Sequence, residues 1–410
     1  MEVLYERCCG LDIHKKLVVA CLVTGEGAKK EIRTFGTMTA DLLELADWLA
    51  QAGCTHVAME STGAYWKPVY NLLESSFHLV LANAQHMQAV PGHKTDVKDC
   101  EWIADLLRHG LLRASFVPDL PQRELRELTR YRTTLVQERS AEAARLQKTL
   151  EGANIKLASV ATDILGKSGR EMLEALVEGT ASAAAMAALA KGRLREKIPE
   201  LERALAGRFR AHQRFLVAEQ LAHIDFLDAA IERVSGEIAE RMRPFEDALE
   251  RLDAIPGMGR RNAEGIVAEV GVDMSRFPTA GHLSSWAGMC PGNYESAGKR
   301  TSGRTRKGNR YLRALLVEAA HAAGHTKESY LGAQYHRLRA RRGNKKAAVA
   351  VGHSILAIIY HLLKHPESLY RDLGIHYFDQ RNRQAAERRL VRRLEALGNK
   401  VTLEPVPLAA

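Results

Sequence analysis

The sequence has 410 residues, of which 46% are hydrophobic and 26% charged, and it carries a formal net charge of +10. This composition excludes a mainly disordered chain, and the length predicts two or three domains. The basic excess favours polyanionic partners, nucleic acid first and anionic membrane surfaces second. The most apolar late run, AAVAVGHSILAIIYHLL, is interrupted by Gly352 and two histidines. We therefore expect a buried helix there and no membrane span.

Residues 1–117 predict an α/β domain. In chain order the pattern is three strands, helix, strand, helix, strand and helix, which implies helices packed on a mixed sheet. The first two strands lie within residues 8–23, and KEIRTFG is the third. The helix TADLLELADWLAQAG has Thr39 as its expected N-cap and Gly53 as its stop.

Residues 118–250 predict a helical region with two long helices, at 122–155 and 213–250, separated by short ones. In the second long helix an apolar residue recurs every seven positions, at Val217, Ile224, Ile231, Ile238 and Phe245. This heptad spacing is typical of a coiled coil. It fits an intramolecular helical hairpin and a dimerising coiled coil equally well, so both remain open here.

We place a third, mainly helical domain at residues 251–370 and a basic tail at 371–410, where RNRQAAERRLVRRLEALGNK predicts an amphipathic helix. The six cysteines form no C-x-x-C pair, so we expect core residues in a reducing cytoplasm, without a zinc site. The N-terminus lacks the charge-then-apolar order of a signal peptide.

Four carboxylates stand out in the first domain. Asp12 lies in the first strand, Glu60 ends the strand THVAME, and Asp96 and Asp99 share a face at the start of a helix. Such a set repels itself unless cations intervene, and two Mg²⁺ ions suit oxygen ligands and would hold a scissile phosphate. Taken singly, each acid fits a strand-edge charge or a helix N-terminal charge. Their coincidence favours a metal site of the ribonuclease-H-like kind.

The string LDAIPGMGRRNAEGIVAEVG predicts two helices joined by a tight turn. Gly257 and Gly259 would direct backbone N–H groups outward at a helix N-terminus, beside Arg260 and Arg261. This pattern resembles a helix-hairpin-helix, which grips the DNA backbone without reading bases. The alternative is a plain helical turn.

A basic, glycine-rich segment follows. Between its first and last cation it has seven basic residues and no acid: Lys299, Arg300, Arg304, Arg306, Lys307, Arg310 and Arg313. Such a segment suits a nucleic-acid backbone. Ser296 at its edge would attack a phosphate, with guanidinium groups stabilising the developing charge. Tyr294, Thr301 and Ser302 are rival nucleophiles, and a serine in such a segment is ordinarily a turn residue.

Six strings run in order from residue 10 to about residue 320: GLDIHK, MESTGAYWKPV, KTDVKDCEWIADLL, IPGMGRRNAEGIVAEVG, WAGMCPGNYESAGK and GNRYLRALLVEAA. Each is modest alone. Together they resemble the DEDD-type, bridge-RNA-guided transposases of the insertion-sequence family numbered one hundred and ten. The middle helical region carries no matching string.

The resemblance implies a RuvC-like, ribonuclease-H-like first domain, a helical coiled-coil middle and a C-terminal domain with a catalytic serine. It assigns Asp12, Glu60, Asp96 and Asp99 to a Mg²⁺ site and makes Ser296 the nucleophile that bonds covalently to DNA. It also implies that the carboxylates of one protomer meet the serine of another.

The resemblance further implies three partners: the element-end and target DNA, a structured noncoding guide RNA, and further copies of the chain, from dimer to tetramer. A bacterial cytoplasmic location, at the nucleoid during activity, follows. Two readings compete with it. A metal-dependent nuclease or junction resolvase needs only the four acids and water, and a non-catalytic architectural protein needs only the hairpin and the basic segments.

Overall fold

The fold is that of a computed structural model. It describes residues 2–25, 27–61, 63–82, 96–292, 294–296 and 298–404, with the backbone alone at residues 96, 97, 294–296, 300 and 301. The chain forms two compact units, Met1–Leu120 and Pro121–Ala410.

The first unit is built on a five-stranded sheet. Its strands are β1 (Cys8–Ile13), β2 (Leu17–Thr24), β3 (Lys29–Gly36), β4 (His56–Glu60) and β5 (His78–Ala82). They lie in the order β3-β2-β1-β4-β5. The pairs β1–β2 and β2–β3 are antiparallel, whereas β1–β4 and β4–β5 are parallel. The expected mixed sheet is confirmed, and its order is compatible with a ribonuclease-H-like domain.

Three described helices cover this sheet: α1 (Thr39–Gln51), α2 (Trp66–Leu73) and α3 (Asp96–Arg108). One apolar cluster packs α1 and α2 on one face, and a second packs α3 on the other. The helix order was predicted correctly, but Thr39 as N-cap of α1 was wrong. The cap is Met38, whose N–H donates to the Asp41 carboxylate at 3.1 Å. The Asp41 carboxylate, at the third helical position, thus satisfies a backbone N–H at the helix start, and the Thr39 hydroxyl does not serve as the cap.

The second unit begins with a long helical hairpin. Its arms are α4 (Leu120–Gly152) and α9 (Ala211–Met242), and between them lie α5 (Leu157–Val160), α6 (Lys167–Glu178), α7 (Ala183–Ala187) and α8 (Ile198–Leu205). The prediction that the second long helix reaches residue 250 was wrong. The helix ends at Met242 because Pro244 follows in a 3₁₀ turn, Arg243–Phe245.

The heptad seam of α9 is buried inside the chain. Leu227 and Ile231 pack against Leu135 of α4, and Val217 and Ile224 belong to the cluster that holds the α4 end. The intramolecular hairpin is therefore the correct interpretation of the seam, and the dimerising alternative was wrong for this face. Phe245 lies beyond the helix end and does not continue the seam.

The rest of the second unit is mainly helical, as expected. It contains α10 (Glu246–Asp253), α11 (Arg260–Val270), a 3₁₀ turn (Met274–Arg276), α12 (Ala280–Trp286), β6 (Tyr294–Ser296), β7 (Lys299–Ser302), α13 (Arg310–Ala323), α14 (Tyr330–Arg342), α15 (Asn344–Lys364), α16 (Tyr377–Arg381) and α17 (Arg383–Glu395).

Helix α15 carries the apolar run noted in the sequence. Of the described helices, it alone has the length and apolar composition to cross a membrane. Val351, Ile355 and Ile359 are nevertheless fully buried, and the helix packs against α10, α12, α13 and α14. The expected buried helix is confirmed. The basic tail helix is confirmed as α17, with Leu390 and Leu394 on its exposed side.

Candidate active site

Asp12 and Glu60 come to one edge of the sheet because of strand register. Leu11 of β1 pairs with Met59 of β4 in parallel, so the next residues, Asp12 and Glu60, are neighbours on the two strands. Side chains two apart in a strand point to the same face. Asp12 therefore shares the face of Gly10.

Helix α3 covers this same face. A Cβ atom at Gly10 would lie 2.3 Å from the Cys100 carbonyl oxygen and 2.4 Å from the Ala104 nitrogen, so the helix backbone rests directly on β1. The Cys8 thiol donates to the Ala104 carbonyl at 3.8 Å. Helix and strand thus run in opposite directions, which directs the first turn of α3, with Asp99, toward the end of β1 where Asp12 lies.

Asp12, at this edge of the sheet, differs in its surroundings from Asp105, an acid in the later part of the helix. The Asp12 side chain is 16% exposed, and its Oδ2 lies 3.0 Å from His14 Nε2. Asp105, two turns further along α3, is instead held by Lys30, whose Nζ donates to Oδ2 at 2.8 Å. The side chain of Asp96 lies outside the described residues, although its backbone begins α3.

Among the side chains that the structure describes, no group of three or more His, Cys, Asp or Glu converges closely enough to hold a metal ion. The Mg²⁺ site at Asp12, Glu60, Asp96 and Asp99 therefore stays a prediction. The donor chemistry fits it, since carboxylate oxygens are the ligands that Mg²⁺ prefers.

The predicted nucleophile stands on a two-stranded hairpin in the second unit. The backbone of Ser296 in β6 pairs with Lys299 in β7, and Tyr294 pairs with Ser302. The side chains of Ser296 and its rivals Tyr294 and Thr301 lie outside the described residues. The hydroxyl of Ser302, the fourth candidate, accepts from the Arg304 N–H at 3.2 Å, which is a turn contact.

The segment that leaves this hairpin, residues 303–309, is anchored along its length; we call it the basic loop. The Arg304 carbonyl accepts from the Gly292 N–H at 2.7 Å, and Thr305 forms a bridge with Pro291. A Cβ at Gly308 would lie 2.3 Å from the Gly288 nitrogen, so two backbones touch there. The basic loop is consequently tied to residues 288–292, the segment that leads into the hairpin, so the loop and the hairpin are held together.

The cations of this region point to solvent. The exposed ones are Lys299, Arg304, Arg306, Lys307 and Arg310. The side chain of Arg300 lies outside the described residues. An exposed row of cations with this spacing can neutralise consecutive phosphates. Contact with nucleic acid stays a prediction for each of them.

The predicted helix-hairpin-helix is present as α10, a turn and α11, but its two glycines act differently. Gly259 has φ +68° and open space around its Cβ position, as an N–H-presenting turn needs. Gly257 has φ +84°, and a Cβ there would lie 2.4 Å from the Ala319 carbonyl of α13. Gly257 therefore serves the packing of the turn on α13, which sequence reasoning did not identify.

The two arginines of the turn also differ. Arg260 donates through both terminal nitrogens to the Glu246 carboxylate and through Nε to Glu264 at 3.2 Å. The bonds from Arg260 hold the pKa of the half-exposed Glu246 carboxyl below its usual value. Arg261 is exposed. Phosphate binding stays a prediction for both, and at Arg260 a phosphate would have to compete with two carboxylates.

Sequence reasoning missed two residues at the base of the hairpin. Glu269, near the end of α11, is 1% exposed and accepts from Arg130 Nε and Nη2 at 2.7 and 2.8 Å. It also accepts from Asn309 Nδ2 at 2.6 Å. Two signals were available: an acid within the apolar string GIVAEVG, and an asparagine directly before a helix, the usual place for an N-cap.

Two family models match the chain. A model for IS110-type DEDD transposases, described as Transposase, covers residues 9–155. A second, described as Transposase IS116/IS110/IS902 family, covers residues 249–336. The first match contains the acidic sheet edge, and the second contains the turn between α10 and α11, the hairpin and the basic loop.

Curated proteins show the same similarity over longer spans. The Probable family 20 transposase of Pseudomonas aeruginosa is 26% identical over 335 residues, or 80% of this chain and 89% of that protein. The Insertion element IS110 uncharacterized 43.6 kDa protein of Streptomyces coelicolor is 27% identical, over 67% of this chain and 72% of that protein. The Insertion element IS900 uncharacterized 42 kDa protein of Mycobacterium paratuberculosis is 29% identical, over 58% and 66%.

Proposed function

This chain belongs to the IS110 family of insertion-sequence DNA transposases, and from that premise we propose that it joins DNA through a covalent bond to Ser296, guided by a noncoding RNA. The observation that carries the proposal is the setting of Ser296. It lies on a hairpin whose second strand leads directly into the exposed cations of the basic loop.

The proposed chemical step is phosphoryl transfer in two stages. The Ser296 hydroxyl loses its proton to a base as its oxygen bonds to phosphorus. The bond from phosphorus to one DNA oxygen breaks, and that oxygen takes up a proton and leaves as a free hydroxyl. A second DNA hydroxyl then attacks the phosphoserine ester, which re-forms a phosphodiester and returns the serine. The guanidinium and ammonium groups of the basic loop stabilise the negative charge on the transferring phosphoryl oxygens.

The acidic edge supplies the other half of the proposal. Asp12, Glu60, Asp96 and Asp99 would hold Mg²⁺ as two ions per site, since four carboxylates can neutralise two divalent cations. When bound, the metal would polarise the scissile phosphate and stabilise charge on it. The carboxylates orient and hold the ions, and the family resemblance suggests that they come from a different protomer than Ser296.

The guide RNA and the oligomer complete the proposal. The turn at Gly259 and the basic loop suit phosphate groups, which are common to every sequence. Sequence choice would then fall to base pairing between RNA and the donor and target DNA. Dimers or tetramers would bring two DNA segments together in the cytoplasm. Because the α9 seam is buried within the chain, the protomers would have to associate through other surfaces.

A covalent-trapping assay tests the serine. Protein, Mg²⁺, element-end DNA and RNA from the flanking noncoding sequence are incubated, and protein-bound DNA is measured on a denaturing gel. We expect an adduct that requires Mg²⁺ and RNA and disappears in Ser296→Ala, while DNA binding persists. Ser302→Ala, on the paired strand, is the matched control and should still form adduct.

The same assay separates the competing activity. A metal-dependent nuclease uses water as its nucleophile and leaves nicked DNA without an adduct. Nicking that survives in Ser296→Ala would assign the chemistry to the carboxylates alone. An adduct that survives in Ser296→Ala and is lost in Ser302→Ala would move the nucleophile to β7.

A further inference from the structure

A buried carboxylate joins three parts of the second unit that are far apart in sequence. Glu269 of α11 is 1% exposed, and its carboxylate accepts hydrogen bonds from both Nε and Nη2 of Arg130 in α4. Its oxygen Oε2 also accepts from Asn309, the last residue of the basic loop. Burying a carboxylate is costly unless it is fully paired. The pairing here ties α4, α11 and the loop to one point.

Two further side chains of helix α4 donate hydrogen bonds to the backbone near Glu269. Arg126 donates to the backbone carbonyls of Ala268 and Glu269, and Gln122 donates to Ala268 at 3.1 Å. Burial lowers the pKa of Arg126 to about 10, which the charge of Glu269 opposes, so the guanidinium stays charged near neutral pH. The end of α11 is therefore held by three consecutive turns of α4.

Asn309 is the link between this point and the hairpin. Its Oδ1 accepts from the Tyr311 and Leu312 N–H groups and so caps α13. Since Oδ1 is used as the cap, the amide nitrogen points to the carboxylate, as the acceptor-only chemistry of Glu269 requires. The Arg130 guanidinium also lies 4.3 Å from the centre of the Tyr311 ring. One asparagine thus fixes both the helix start and the end of the basic loop.

A neighbouring pair provides the contrast. Glu264 precedes Glu269 by five residues on α11. It accepts from Arg132 of α4 at 2.7 Å, and both side chains are less than 10% exposed. Glu264 also accepts from Arg260 at 3.2 Å. Glu264 therefore joins α4 to α11 as Glu269 does, but its described contacts do not extend to the basic loop.

We propose that Glu269 is a positioning residue that, through Asn309, sets the basic loop and the Ser296 hairpin relative to the long helix α4. The proposal rests on the proposed function, because it concerns the placement of Ser296. The loop is short and clamped at Gly292, Pro291 and Gly288. A shift at Asn309 therefore passes to the hairpin rather than being absorbed along the way.

The decisive variant is Asn309→Ser, tested in the full-length protein with its DNA and RNA. Serine is a good N-cap, so the start of α13 is kept, while the amide group that donates to Glu269 is removed and only a shorter hydroxyl stands in its place. Glu264→Gln is the matched control, since it removes the charge of the other buried pair and leaves Asn309 untouched. Each variant is measured for thermal unfolding, DNA affinity, rate of covalent adduct formation and amide hydrogen exchange over residues 291–308.

We expect Asn309→Ser to form adduct about 10-fold to 100-fold more slowly, the penalty of a misplaced reacting group. Its DNA affinity should stay near that of the unmodified protein, and exchange over residues 291–308 should become faster. Glu264→Gln should lower the unfolding temperature at least as much, yet form adduct at the normal rate and show normal exchange over residues 291–308.

Normal adduct formation in Asn309→Ser, or equal slowing in Glu264→Gln, would overturn the proposal, because the buried pairs would then act through stability alone. If the unmodified protein forms no adduct, the proposed function fails instead, and the exchange measurement still decides whether Asn309 holds the loop.

Discussion

The acids of the two units are used in opposite ways. In the first unit, Asp12 lies at a sheet edge, partly exposed, and contacts His14. In the second unit, Glu264 and Glu269 are buried and each is matched by arginines. A carboxylate neutralised from within the fold is committed to structure, whereas one at an open edge can take up a cation from outside.

This difference separates candidate catalytic acids from structural ones without reference to sequence similarity. It also applies within a single helix. Asp99 lies in the first turn of α3, which runs toward the end of β1, while Asp105 is held by Lys30. Position on the sheet edge, not charge alone, therefore distinguishes the acids that we assign to Mg²⁺.

The largest effect should come from removing acids at the sheet edge. We expect Asp12→Asn and Asp99→Asn to slow strand cleavage about 1,000-fold, since metal stabilisation of a phosphate is worth several kcal/mol and each ~1.4 kcal/mol is tenfold in rate. Mg²⁺ dependence of adduct formation is the measurement. Asp105→Asn, on the same helix, is the control and should retain activity within a few-fold. Equal losses in all three would erase the distinction between edge and paired acids.

A smaller effect tests how α3 is placed. Gly10→Ala puts a methyl group against the backbone of Cys100 and Ala104. These backbone atoms can make room for the methyl group only if the helix moves. We expect a loss of about 1–3 kcal/mol in the free energy of unfolding, as for other overpacked cores, together with reduced cleavage. Urea unfolding measures the first quantity.

Gly27→Ala is the control for that substitution, because nothing lies within 4 Å of its Cβ position, and its cost should stay within about 0.5 kcal/mol. A Gly10→Ala variant as stable and active as the unmodified protein would show that α3 does not depend on this close approach.

The smallest effect concerns the cations of the second unit. Arg304→Ala should weaken DNA binding and reduce the slope of log affinity against log salt by about 1, the value for one lost phosphate contact. Arg260→Ala should leave the slope nearly unchanged, because Glu246 and Glu264 already engage its guanidinium. Fluorescence anisotropy at several salt concentrations measures both. A larger slope change for Arg260→Ala would show that its carboxylate partners give way to DNA.

Much of the fold was predictable because the strands and helices follow from the local pattern of apolar, glycine and proline residues. Alternating and continuous apolar runs identified the five strands, and a glycine or proline marked most helix ends. The errors were also local in origin. Thr39 was chosen as a cap from residue preference, but the Asp41 carboxylate stabilises the preceding N–H, and Pro244 ends α9 before the heptad pattern does.

The sequence was enough to select the candidate site residues, but not the residues that hold the surrounding elements in place. Asp12 and Glu60 are unusual acids in apolar strands, and Ser296 lies beside a run of cations, so sequence alone directs attention to them. Gly257 and Glu269 carried weaker signals, because their roles depend on α13 and α4, which lie more than 60 and more than 100 residues away in the chain.

The sequence by itself determined the order of strands and helices along the chain, the family motifs and the choice of the four acids and the serine as candidates, since these depend on residue type and short spacing. Only the tertiary structure decided that the α9 seam closes on α4 within the chain, that Gly10 lets α3 rest on β1, and that Asn309 and Arg130 meet at Glu269. Those outcomes depend on which distant surfaces bury each other, and that choice is made by packing and charge pairing across the whole unit.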